Sequence, residues 1–127
     1  MKSSSWIFAA LILVAGSANA SETFRAALAQ AKENVKTEAG AGYDNQFGIS
    51  FGSRVPDVMV DCTKGAADDD LATFDLVVQV AADGKVENAM VEPATKVALC
   101  LRDQMPRSGY PKPPAPRWWV FVNMKIK

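Results

Sequence analysis

The chain has no histidine among its 127 residues, only two cysteines, and no surplus of either charge, with 14 basic and 14 acidic side chains. Without an imidazole there is no Ser-His-Asp or Cys-His catalysis, and most zinc hydrolase sites are excluded as well. The charge balance gives no electrostatic case for nucleic acid or an anionic membrane surface. No glycine-rich phosphate cradle is present, and Gly48-x-x-x-Gly52 sits in a polar context. The densest acidic cluster, Asp68-Asp69-Asp70, lacks the spaced ligands and glycine of a calcium loop and reads as a solvated turn. A carboxylate pair alone can hydrolyse a glycosidic bond, but no spacing here specifies one. The expectation is a non-enzymatic protein with no metal and no cofactor.

The chain has one short apolar run, Trp6 to Val14, below the ~20 residues of a spanning helix. Lys2 precedes it and Ala18-Asn19-Ala20 follows it. This is the pattern of a secretory signal cleaved before Ser21, with an uncleaved anchor as the competing reading. No cysteine follows the cleavage site to carry a lipid. Removing residues 1–20 leaves roughly a hundred residues, one domain's worth. The product is expected in the periplasm, with no membrane insertion after cleavage. In an exported chain of this size, Cys62 and Cys100 read as a disulfide. A metal pair or a catalytic thiol is the alternative, and both lack a histidine. The bridge closes a loop of about 39 residues, worth ~4 kcal/mol on the chain-entropy model.

Along the chain, Phe24, Leu28, Ala31 and Val35 recur at helical spacing, predicting an amphipathic helix over 22–38 that Ala39-Gly40-Ala41-Gly42 ends. Residues 43–62 stay ambiguous. Phe47, Phe51, Val55, Val58, Met59 and Cys62 form a helical stripe, while Gly48, Gly52 and Pro56 oppose one continuous helix. A short helix after Ser53 with Pro56 in its first turn reconciles them. The alternation of Val58, Val60 and Cys62 keeps a strand open.

Phe74, Leu76, Val78 and Val80 alternate as a strand. Asp83-Gly84 predicts a tight two-residue hairpin, with a return strand over 86–91 that Pro93 ends. Thr95 caps a helix over 96–105, with Val97, Cys100 and Leu101 on its inner face and Pro106 as its stop. Tyr110-Pro111-Lys112-Pro113-Pro114-Ala115-Pro116 must be extended. It is either a PxxP ligand or, more simply, a stiff connector. Residues 117–126 form a last strand, with Trp118, Val120, Val122, Met124 and Ile126 on one apolar face. Arg117, Trp119, Phe121, Asn123 and Lys125 take the other. The result is a single α+β domain: a helical part over 21–72, then a hairpin, helix and C-terminal strand in a small antiparallel or mixed sheet with helices packed on one face.

The pattern Phe74-x-Leu76-Val77-x-x-Val80, Ala82-Asp83-Gly84-Lys85-Val86, Cys100-Leu101, Tyr110-Pro111 and Trp118-Trp119-Val120-Phe121-Val122 resembles the C-terminal domain of TonB-like proteins. The resemblance covers about residues 73–127. It implies a compact α+β module that binds periplasmic proteins by adding an extended peptide beside an edge strand. Energy-transducing members carry an uncleaved anchor and a long Pro-rich spacer, and this chain has neither pattern. What the resemblance implies is therefore a stand-alone periplasmic module that recognises an envelope protein or peptide. Trp119, Phe121, Arg117, Asn123 and Tyr110 are its candidate partner-binding residues. Trp119 and Phe121 are open to a partner only if the first helix does not cover them. The alternative function is a small inhibitor of a secreted hydrolase, inserting the Pro-rich loop 106–116.

Overall fold

The computed structural model describes residues 20–126. Residues 1–19, on which the signal-peptide reading falls, lie outside the described residues. No helix among the described residues is long and apolar enough to cross a membrane.

The architecture is α+β. Four helices, α1 (Ala20–Asn34), α2 (Glu38–Arg54), α3 (Pro56–Thr63) and α4 (Lys96–Gln104), accompany strands β1 (Phe74–Val80), β2 (Val86–Glu92) and β3 (Trp118–Met124). The sheet is antiparallel, in the order β2-β1-β3. The helices take both faces, which corrects the one-face expectation. On one face Leu76, Val78, Val80, Val91 and Val120 pack against Phe47, Phe51, Val97 and Leu101 from the later helices. On the other, Val77 packs with Phe24 and Ala27 of α1, and Leu28, Met90, Trp119 and Phe121 close around them. Val77 lies between Asp75 and Gln79 on the second face of β1 and is fully buried, and one layer of helices would leave it in water.

The predicted helix over 22–38 is α1 carried past its end, to the first residue of α2. α1 stops at Asn34, leaving Val35 41% exposed. α2 then opens on Thr37, whose hydroxyl accepts the Gly40 N–H at 3.0 Å. The Ala39–Gly42 stretch lies inside α2 instead of ending α1. Gly40 is needed because a Cβ there would collide with the Asn34 carbonyl. The stripe of Gly40, Tyr43, Phe47 and Phe51 is buried and helical throughout. Gly48 and Gly52 sit on the exposed side, where they do not interrupt it. Pro56 occupies the first turn of α3 as expected, since its missing N–H is one that no helix start can satisfy internally.

The β1–β2 loop has three residues, Ala82-Asp83-Gly84, and not two. The Ala81 N–H donates to the Lys85 carbonyl at 2.8 Å, and the Gly84 N–H to the Ala81 carbonyl at 2.9 Å. Only Gly84 takes a positive φ, 88°. A turn followed by one left-handed residue is the next most common hairpin solution after the two-residue one. Glycine is required at 84 twice over, because a Cβ would also strike the Tyr110 carbonyl. Thr95 caps α4 through the Ala98 N–H at 3.0 Å. Asp70 of the acidic cluster accepts the Lys96 N–H at 3.1 Å. The Cys62–Cys100 disulfide staples α3 to α4 with its Cα atoms 5.6 Å apart.

Candidate functional site

The outer edge of β3 is the candidate site, and its chemistry follows from the register. Because the Ala81 N–H bonds toward Lys85, the odd-numbered residues of β1 turn their backbone groups to β2 and the even-numbered ones to β3. Val80↔Trp118, Val78↔Val120, Leu76↔Val122 and Phe74↔Met124 are then the pairs that exchange hydrogen bonds. Trp119, Phe121 and Asn123 turn their N–H and C=O groups away from the sheet. The Trp119 carbonyl bears this out, since it accepts the Asn34 side-chain N–H of α1 at 3.1 Å. Among the described residues, no partner meets the outward backbone groups of Phe121 and Asn123. A row of such groups is a template for another strand.

The opposite edge is tied at one point as well. The Val86 N–H at the start of β2 donates to the Arg107 carbonyl at 2.8 Å. By the same parity Ala89 and Val91 turn their backbone groups outward, and these too meet no partner among the described residues.

The five candidate partner-binding residues fall in different surroundings. Trp119 and Phe121 are half-buried beneath α1, and the Lys32 ammonium stands 5.7 Å from the Phe121 ring centroid. The rings pack against α1 and stay partly exposed, so they belong to the small second core and are not a free aromatic face. Tyr110 is buried, stacked on Phe47 at 4.7 Å between centroids, and its hydroxyl donates to the Pro106 carbonyl at 2.9 Å. It is core, which removes it as a contact residue. Arg117 is exposed in the left-handed region, φ 54°, where the chain turns into β3. Asn123 is exposed and donates to the Asp75 carboxylate across the strand pair at 2.7 Å. Of the five, Asn123 and Arg117 are exposed, Trp119 and Phe121 partly so, and Tyr110 is buried.

The Pro-rich connector is strapped to α2. The Tyr43 hydroxyl donates to the Pro111 carbonyl at 2.7 Å. The Arg54 guanidinium donates to the Ser108 carbonyl at 2.8 Å and lies 4.3 Å above the Tyr110 ring. Burial, followed by the neighbouring Tyr110, pushes the Tyr43 phenol up to about 12. Burial raises Tyr110 as well, against the pull of Arg54 and Arg107.

Two features of the edge had no sequence signal. The Asn34 cap on the Trp119 carbonyl joins residues 85 positions apart. A groove of about 250 Å³ between α3 and the end of β3, lined by Pro56, Met59, Val60, Thr63, Met124 and Ile126 with Lys125 at its rim, depends on tertiary packing. Val60, on its wall, is 61% exposed. No protein-family model, curated protein or solved structure matches the chain.

Proposed function

We propose that this chain is a non-enzymatic, periplasmic protein-binding module that recognises an envelope partner by pairing an extended segment of it with the outer edge of β3. The observation that carries the reading is the pair of outward-facing, unpartnered backbone sets at Phe121 and Asn123, on a strand whose other side is fully bonded to β1. Strand addition uses such groups for affinity and the flanking side chains for selectivity. The resemblance of residues 73–127 to TonB-like C-terminal domains implies the same mode. Lys2, the Trp6–Val14 run and Ala18-Asn19-Ala20 support export, and the Cys62–Cys100 disulfide is compatible with an oxidising compartment.

Asn123→Pro tests the proposal. Proline removes one outward N–H and is tolerated on an edge strand when that N–H faces solvent. Asn123→Ala is the control for loss of the Asp75 bond. The expected result is that wild type and Asn123→Ala capture the same envelope protein while Asn123→Pro, equally well folded, does not. Equal capture by all three would refute strand pairing at this edge.

A further inference from the structure

We infer that the Cys62–Cys100 disulfide is a redox latch: its two-electron reduction by a dithiol releases α3 from the body of the molecule and leaves the sheet and α4 folded. This device stands whether or not the β3 edge takes a strand. α3 has eight residues and no fully buried side chain. An isolated helix shorter than about 12–15 residues is marginal in water, so α3 persists only through what holds it in place. Val58, Met59 and Cys62 pack against the main core but stay half-buried, while Asp57, Val60 and Asp61 are exposed. Its polar contacts are local. The Thr63 hydroxyl donates to the Met59 carbonyl at 2.7 Å, and Asp61 faces Lys64 at 3.9 Å. Among the described residues, no side-chain hydrogen bond or ion pair joins residues 56–66 to another element. Apart from half-buried packing, the bridge is what holds this helix.

The other end of the bridge is firm. α4 buries Val97, Ala98 and Leu101, and its first turn is held by Thr95 and Asp70. The sulfurs are within reach of solvent. Both cysteines are half-buried, and Cys100 lines a surface recess of about 220 Å³ with Val58, Asp61 and Gln104. A reductant thiolate entering there attacks the Cys100 sulfur, the S–S bond breaks, and Cys62 leaves as a thiolate that takes a proton. The second thiol of the reductant then attacks the mixed disulfide. Cys100 leaves and is protonated, and the reductant departs as its own disulfide, so two electrons and two protons have passed to the bridge. Pro56, Met59, Val60 and Thr63 of α3 form one wall of the groove that Met124 and Ile126 complete. Release of α3 removes that wall and bares the apolar end of β3.

The test is amide hydrogen exchange on ¹⁵N-labelled protein before and after treatment with dithiothreitol, a dithiol, with the freed thiols alkylated and counted by mass. Both cysteines are expected to be alkylated after dithiothreitol alone, with no denaturant present. The Met59 to Thr63 amides should then exchange at nearly the rate of a free chain, while those of Leu76, Val78 and Leu101 stay protected by at least about a hundredfold. The double variant Cys62→Ala/Cys100→Ala should show the same pattern without reductant. Three results would overturn the inference. A bridge that resists dithiothreitol until denaturant is added would put the sulfurs out of reach. An α3 that keeps its protection, in the reduced protein or in the double variant, would show that packing alone holds it. Loss of protection at Leu76, Val78 and Leu101 together with α3 would make the bridge a staple of the whole fold.

Discussion

At the scale of single residues, Tyr43 and the β3 aromatics Trp118, Trp119 and Phe121 can each be tested by substitution. The Tyr43 phenol is buried, donates to the Pro111 carbonyl, and ionises only near pH 12 in the folded chain, against 10.0 for the free group. A raised acid pKa means that the folded state holds its proton where the unfolded state has released it. The stabilisation is complete below pH 10 and is lost as the pH climbs from 10 to 12. Urea midpoints at pH 8, 10 and 11 should therefore fall across the last interval. Tyr43→Phe should flatten the fall in part, with Tyr110 supplying the remainder. An unchanged slope in Tyr43→Phe would show that the phenol is not held as described. The aromatic pair on β3 behaves as core. Trp119→Ala and Phe121→Ala should each destabilise by about 2 kcal/mol, below the ~3–5 kcal/mol of a wholly buried aromatic because both rings are half-exposed. Trp118→Ala, on the main-core face with Tyr43 at 6.4 Å, should also destabilise. Melting curves of the three variants give the comparison, and two unaffected variants at 119 and 121 would mean that α1 does not cover them.

At the scale of elements, α2 and the disulfide carry opposite kinds of test. A Cβ at Gly48 or Gly52 would meet no atom within 4 Å, and both positions are interior to a helix. Gly48→Ala and Gly52→Ala should each stabilise by about 0.5–1 kcal/mol. Gly40→Ala should destabilise, since the Asn34 carbonyl holds the space. Chemical denaturation of the three reads the signs directly. The bridge between α3 and α4 holds two short helices, of 8 and 9 residues, against each other. Cys100→Ala should cost about 2–5 kcal/mol, the usual range for removing a native bridge from a small domain. Free alkylation of both thiols in folded protein would contradict the bridge. These elements also show what could be read in advance. β1, β2, α4 and β3 were legible because alternation, Thr95 and the prolines act within a few residues. The α1–α2 break was not. Thr37 as a cap competes with Gly40 as a stop, and the choice is made by the approach of Asn34 to the α2 backbone, which no local pattern records. The same holds for Gly48 and Gly52, whose cost to the helix is offset by the buried aromatics on its other side.

At the scale of the whole molecule, the sheet is covered on both faces and has two edges. The main core and the α1 cluster cover the faces, and the connector from α4 secures the start of β2 through Arg107. On β3 the outward groups are those of Phe121 and Asn123, beyond the Trp119 carbonyl that Asn34 occupies. The strand and its apolar face were readable from the alternation at 118–126, but which residues turn outward was not. That depends on the parity of β1, fixed by the Ala81–Lys85 bond at the hairpin, and the packing of Trp119 and Phe121 depends on where α1 lies. The most direct measurement is amide hydrogen exchange of the free protein along β3. Phe121 and Asn123 should exchange rapidly while Val120 and Val122, bonded to Val78 and Leu76, stay protected. Protection of Phe121 and Asn123 equal to that of their neighbours would mean that this edge is already occupied and is not open to a partner.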